Sequence, residues 1–272
     1  MTESTKNPGF IGKILNLPND DPKKTIIVAA LLCLVCSILV SISAVTFKPQ
    51  QLANKATDIK KNILGVTGLL TEQGDIDTLF QQFEVKIVDL DTGTYADIDA
   101  ATYDQYKAAG DPDQSVELTA EQDIASIGRR AKLAKIYLLK EGGKTSQVVL
   151  PIHGYGLWST LYGFISFNGD FNTIGGLQFY AHAETPGLGG EVDNPKWRKL
   201  WQGKKAFNDQ GELKIEVVRG FVDFKVAGAE HKVDGLSGAT LTSVGVSNLV
   251  KYWLGEHGFG PYLKNMSTEA EK

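Results

Sequence analysis

Asp234-Gly235-Leu236-Ser237-Gly238-Ala239-Thr240 runs straight into Leu241-Thr242-Ser243-Val244-Gly245-Val246, and the change of pattern between them sets the reading of the chain. Glycine, serine and aspartate crowd the first stretch, as they do in turns. After it, Val246, Leu249, Val250, Trp253 and Leu254 repeat at helical spacing. A helix is expected over about 241–254, with Gly255 able to end it. A loop feeding a helix start makes a ready phosphate site, because the first turn's N–H groups are unpaired and the helix dipole favours anions. Gly238 and Ala239 have minimal side chains, so a phosphate can approach their backbone. Thr240 puts a nucleophilic hydroxyl at that point, with Ser237, Thr242 and Ser243 as further donors. The plainer alternative is an ordinary N-cap made by Thr240 or Thr242. The residues alone leave both readings open.

Upstream, strand-like runs recur at 83–90, 135–139, 147–152, 161–167 and 176–182, with two more at 213–218 and 222–226. Phe83, Val85 and Ile87 fall on one face of the first. Gly142-Gly143 marks one hairpin turn, and Asn168-Gly169-Asp170 marks another. Thr119-Ala120-Glu121-Gln122 resembles a capping box and predicts a helix over about 120–132. A shorter helix is expected near 195–201. The stretch 91–118 is acidic and poorly patterned, which suits a solvated surface loop. Strand runs with flanking helices argue for an α+β domain with a mixed, largely antiparallel sheet.

The N-terminal segment has a different character. Residues 25–47 form a run of 23 without a charge. As a helix they would span roughly 34 Å at ~1.5 Å per residue, enough for a ~30 Å hydrocarbon core. A single N-terminal transmembrane helix is expected. The rival reading, a cleaved signal peptide, usually has an apolar run of only about 7–15 residues. Lys6, Lys13, Lys23 and Lys24 on one flank balance Lys48, Lys55, Lys60 and Lys61 on the other, so charge alone does not orient the span. Pro49 is expected to end or kink it. Beyond it, Leu52, Ala56, Ile59, Ile63, Val66 and Leu70 make a narrow apolar seam on a second, amphipathic helix. Cys33 and Cys36 are the only cysteines, and inside an apolar helix they read as small hydrophobes rather than cluster ligands. The expected divisions are a cytoplasmic leader over 1–24 and the span over 25–47. A linker helix with the first part of the outer domain follows over 48–130, a ligand-binding domain over 131–260, and a flexible tail over 261–272.

Net charge is −4 and no basic block appears, so a nucleic-acid partner is not expected. No cysteine follows residue 36, which excludes a disulfide framework in the outer domain. Gly154-x-Gly156-x-x-Ser159 lacks the third glycine and the helix of a dinucleotide fingerprint, so a nicotinamide cofactor is expected to react on another chain. His153 and His182 have no metal-ligand cluster around them in the sequence and read as structural residues.

The run Asp234-x-x-Ser237-Gly238-Ala239-Thr240 resembles the flavinylation signature of the FMN-binding domain family, with every fixed position present. Two further stretches are similar to that family: Gly154-Tyr155-Gly156-Leu157-Trp158-Ser159 and Glu184-Thr185-Pro186-Gly187-Leu188-Gly189. So is the N-terminal layout, in which a helix beginning at Lys55-Ala56 ends in Gly68-Leu69-Leu70. The family includes a flavin-carrying subunit of the Na⁺-translocating NADH:quinone reductase and its counterpart in the related Rnf complex.

The resemblance implies FMN held covalently, as a phosphoester on Thr240, by the work of a separate flavin transferase. It implies a domain on the periplasmic side of a bacterial inner membrane, relaying electrons within a multi-subunit membrane redox complex. Sodium transport would belong to polytopic partners. Asp234, Ser237, Gly238, Ala239, Leu241 and Thr242 are carried over as cofactor-binding positions around the attachment point, Asp234 suiting turn geometry or transferase recognition. Gly156, Leu157, Trp158, Glu184, Thr185, Leu188 and Gly189 would form two lips around the ring. Arg219 could meet the phosphate or the reduced ring, or be an ordinary surface arginine. An Rnf-type or free-standing flavin carrier is the first alternative. The second is a non-redox assembly module in which 237–240 is only a helix cap.

Overall fold

The apolar run 25–47 is helical, and the helix does not stop at Pro49: α1 spans Pro22–Thr67. The computed structural model describes residues 18–19, 21–71 and 73–270, so most of the leader, Lys6 and Lys13 included, lies outside the described residues. The two expected helices are one. A proline removes a single internal hydrogen bond, and the helical patterns on both sides of Pro49 carry the helix through it. Among the described residues this is one helix long and apolar enough to cross a membrane. It ends where Gly68 takes φ +76. There the Leu69 N–H bonds the Leu64 carbonyl at 2.9 Å and the Gly68 N–H bonds that of Gly65 at 3.3 Å, a Schellman ending.

The chain divides into two compact units, one ending at Ala56 and the other beginning at Thr57. The second holds the helices α2 (Ile76–Phe80), α3 (Gln105–Gly110), α4 (Pro195–Lys199), α5 (Thr240–Leu254) and α6 (Gly260–Ala270). Its strands are β1 (Phe83–Asp89), β2 (Tyr95–Ala96), β3 (Ser115–Glu117), β4 (Arg129–Ala131), β5 (Leu133–Glu141), β6 (Lys144–Tyr155), β7 (Thr160–Asn168), β8 (Ile174–Ala181), β9 (Glu216–Val217) and β10 (Lys232–Val233). One six-stranded sheet runs in the order β2-β1-β5-β6-β7-β8, antiparallel throughout. It crosses the expected division at residue 130, since β1 pairs with β5. The short β9 and β10 pair in parallel, which makes the architecture mixed.

Apolar cover on both faces of the sheet explains why 148–152 reads as an unbroken apolar run. Val148, Leu150 and Ile152 enter the larger core with Val246, Leu249, Trp253 and Leu254 of α5. Val149, between them, enters a smaller core with Ile63, Leu64, Val66, Tyr137 and Phe164. Alternate residues of a strand point to opposite faces, so an uninterrupted run means that neither face meets water. The buried Ser166 hydroxyl donates to the Val66 carbonyl at 2.9 Å, pinning the end of α1 to β7.

Several expectations are corrected. No helix forms over 120–132, although the box bonds do form. The Thr119 N–H reaches Gln122 Oε1 at 3.1 Å, and the Gln122 N–H reaches Thr119 Oγ1 at 3.4 Å. Asp123 then accepts the N–H groups of Ile127 and Gly128 at 2.8 Å each, Ser126 and Gly128 take positive φ, and the chain turns into β4. The stretch 91–118 is not a plain loop. Asp89, Asp99, Asp104 and Asp111 accept nearby backbone N–H groups, and these local turns set β2, α3 and β3 within it. The 222–226 strand is absent because the Val222 N–H bonds Asp234 Oδ1 at 2.8 Å instead of a ladder partner. Of 213–218, only Glu216–Val217 is a strand, paired with Lys232–Val233. The expected flexible tail is helix α6 as far as Ala270, with Tyr262 and Leu263 each 1% exposed. Residues 271–272 lie outside the described residues.

Candidate functional site

Helix α5 begins at Thr240 because the turn before it uses glycine's freedom: Gly238 has φ +73. The N-cap position falls on Ala239, which has no capping side chain. The first N–H groups of a helix lack internal partners, and here no side-chain cap replaces them. Ser243 closes the loop from inside, its hydroxyl donating to the Ala239 carbonyl at 3.1 Å and accepting the Leu236 N–H at 2.8 Å. The alternative of a cap by Thr240 or Thr242 is not what forms. Thr242 and Ser243 are buried and engaged, whereas Thr240 and Ser237 are exposed. The Thr240 hydroxyl has no hydrogen-bond partner among the described residues.

Glu184 lies between the two glycine-rich stretches and is 5% exposed. Its Oε1 accepts the N–H groups of Leu157, Trp158 and Ser159 at 3.1, 2.9 and 3.2 Å. Its Oε2 accepts the Thr242 hydroxyl at 2.8 Å. Burial works against ionisation, but these donors outweigh it and hold the carboxyl below the usual range. A Cβ on Gly156 would stand 2.7 Å from Glu184 Oε1. One on Gly189 would stand 2.5 Å from Thr242 Oγ1 and 2.7 Å from Glu184 Oε2. Both glycines make room for the carboxylate. Sequence reasoning saw two lips and did not see that one side chain joins them.

The other expected residues separate by role. Leu188 touches the attachment loop, its Cδ2 3.1 Å from where a Cβ on Gly238 would be. Trp158, Leu157, Leu188 and Leu241 are exposed apolar side chains. The Thr185 carbonyl accepts the N–H groups of Leu188 and Gly190 at 3.1 and 2.9 Å, forming the turn that carries Leu188. Asp234 clamps a loop: besides holding Val222, it presents its carbonyl to the Trp197 indole N–H at 2.8 Å. Arg219 is exposed. It sits in a loop bonded to 233–235 by Val218 N–H to Val233 O and Gly235 N–H to Gly220 O, 2.8 Å each. The same loop carries Phe221, 85% exposed, which sequence reasoning missed because an apolar run like 222–226 looks like core.

The histidines are structural. Burial pushes His153 down to about 4. His182 Nδ1 accepts the Glu184 N–H at 3.2 Å, which leaves Nε2 to donate to Asp193 Oδ2 at 2.8 Å. Among the described residues no group of His, Cys, Asp and Glu could hold a metal ion. A free hydroxyl, uncapped amides and exposed apolar side chains together suit a ligand with a phosphate at one end and a flat apolar body at the other.

The FMN-binding domain family matches residues 156–255, which hold every element of this arrangement. The NqrC subunit of the Na(+)-translocating NADH-quinone reductase from Pseudomonas aeruginosa is 49% identical over 249 residues, 89% of this chain and 95% of the relative. The same subunit from Vibrio vulnificus is 50% identical over 246 residues, 90% and 95% of the two chains. The crystal structure of Shewanella oneidensis NqrC superposes with a TM-score of 0.72 at 35% identity, covering 79% of this chain and 99% of that one. A long apolar helix at the N-terminus and relatives named for one subunit of a Na(+)-translocating complex fit a membrane-anchored protein. With such identity over most of its length and an FMN-binding domain at its centre, the chain belongs to the NqrC subunit family of the Na(+)-translocating NADH-quinone reductases.

Proposed function

We propose that this chain is the electron-relay subunit of such a reductase and carries FMN in phosphoester linkage on Thr240. One observation carries the reading: the Thr240 hydroxyl is exposed and unbonded at the first position of a helix that no side chain caps. The amides of that first turn and the helix dipole would hold the ester's phosphate. Arg219, exposed on the adjoining loop, would add positive charge, and Trp158, Leu157, Leu188 and Leu241 would offer apolar surface to the ring. When bound, the flavin supplies redox chemistry that no side chain of this chain offers. No base contacts the Thr240 hydroxyl among the described residues, so attachment falls to a separate transferase. The family resemblance supports a periplasmic domain anchored by the apolar part of α1, with NADH oxidation and sodium transport on other subunits. The relatives' names favour this complex over the Rnf-type alternative.

The test is a denaturing gel and an intact mass of protein made in cells that contain the transferase. Flavin fluorescence and an added FMN phosphoryl mass are expected, and both should vanish in Thr240→Val. Fluorescence that survives in the variant moves the attachment elsewhere. An unmodified wild type leaves only the assembly-module reading.

A further inference from the structure

Three amides that a glycine-rich lip would otherwise offer to a ligand converge instead on Glu184 Oε1. Glu184 Oε2 takes the hydroxyl of Thr242, two residues beyond the attachment point. We infer that Glu184 is a positioning residue that joins the 157–159 turn to the first turn of α5 and keeps a fixed negative charge beside the flavin site. The joining stands on the geometry alone, and the effect of the charge rests on the flavin reading above.

Space supports the joining. Gly156 and Gly189 each lack the one atom that would collide with this carboxylate. The backbone of Glu184 is fixed as well, since its N–H donates to His182 Nδ1 and the far nitrogen of that ring is held by Asp193. The partners of the charge point the same way. The donors to Glu184 are neutral amides and a hydroxyl, and none of the ion pairs among the described residues includes it. Hydrogen bonds to the charged form keep it charged. An anion uncompensated by a cation opposes placing further negative charge nearby, and low local dielectric strengthens that opposition. Glu184 therefore lowers the potential at which a ring tethered to Thr240 accepts electrons, and it sets where Trp158 stands relative to that tether.

Two substitutions separate these roles. In Glu184→Gln the amide oxygen can still accept the three N–H groups, and the amide nitrogen can donate to a reversed Thr242 hydroxyl. Shape is kept and charge is lost. Glu184→Ala loses both. The full chain, made with the transferase and held in detergent, would be compared by hydrogen exchange of the peptide covering 155–160 and by spectroelectrochemical titration of the flavin. Exchange at Leu157, Trp158 and Ser159 should be about ten-fold faster in the alanine variant and close to wild type in the glutamine variant. The midpoint potential of the glutamine variant should shift positive at unchanged flavin occupancy. Equal protection in the alanine variant would overturn the joining, and an unmoved potential in the glutamine variant would overturn the charge. Should the alanine variant not fold, Glu184→Asp, one methylene short, takes its place with the same loss of protection expected. A wild type without flavin would sink the Thr240 reading and the charge effect together, while the exchange measurement would still decide the joining.

Discussion

Gly245, in the second turn of α5, lies so close to Tyr155 that a Cβ there would stand 2.6 Å from the Tyr155 carbonyl oxygen. The helix that begins at Thr240 is thus seated backbone to backbone on the end of β6. Alanine in place of this glycine would gain about 1 kcal/mol of helix propensity, but overpacking typically costs ~1–3 kcal/mol. Gly245→Ala should lower the thermal midpoint and, by lifting the first turn away from the Trp158 loop, reduce flavin occupancy. Calorimetry beside intact mass would show it. A variant as stable and as fully loaded as the parent would mean that the contact is slack.

Gly238 presents a separate test, because its φ of +73 belongs to the left-handed region. Gly238→Ala should destabilise by about 1–2 kcal/mol, the usual penalty for a side chain there. Asparagine enters that region more readily, so Gly238→Asn should lie between alanine and the parent. Urea unfolding of the three proteins would rank them, and asparagine falling below alanine would contradict the backbone argument.

The pH dependence of folding should carry the mark of His153. It is buried and stacked on Tyr162 with ring centroids 5.7 Å apart, and Nδ1 has no partner. Burial pushes its pKa from 6.5 to about 4. The unfolded chain therefore takes up this proton first as pH falls, and stability declines between about 6.5 and 4, by up to ~3 kcal/mol. Below that window the contribution levels off. Glu184, held below its usual range, adds stability that also disappears as pH falls through its folded pKa. His153→Phe keeps a ring against Tyr162 and should flatten the part of the slope nearest neutrality. Chemical unfolding at pH 7 and pH 5 measures it.

Leu263 tests the C-terminal helix. With 1% exposure it belongs to the main core, so Leu263→Ala should cost about 2–5 kcal/mol. The neighbouring Lys264 is exposed, and Lys264→Ala should change stability by no more than about 0.5 kcal/mol. Equal, small effects at both positions would return this segment to the status of a loose tail.

What the sequence discloses depends on how far apart the cooperating residues are. The apolar spacing of 246–254 marks α5, Gly255 marks its end, and Gly142-Gly143 marks a hairpin, all within one or two turns of chain. Local signals also mislead. Thr119 and Gln122 make their box bonds with no helix following, because those bonds satisfy two polar groups whatever the next residues do. Leu263 and Tyr262 look like part of a polar tail until the core they cap is present. Glu184 is the hardest case. Nothing distinguishes it in the run Ala183-Glu184-Thr185, and its partners lie 25 to 27 residues before it and 58 after. Only the pairing of β6, β7 and β8, with α5 laid against the sheet, brings them within reach.

The last turns of α1 supply Ile63, Leu64 and Val66 to the smaller core of the sheet. The stalk is therefore also an interior wall, and shedding of the domain depends on where a protease cuts. Cleavage ahead of Thr57 would release a complete fold. Cleavage after Thr67 would strip one face of the sheet and leave an apolar surface that drives the freed fragments to aggregate.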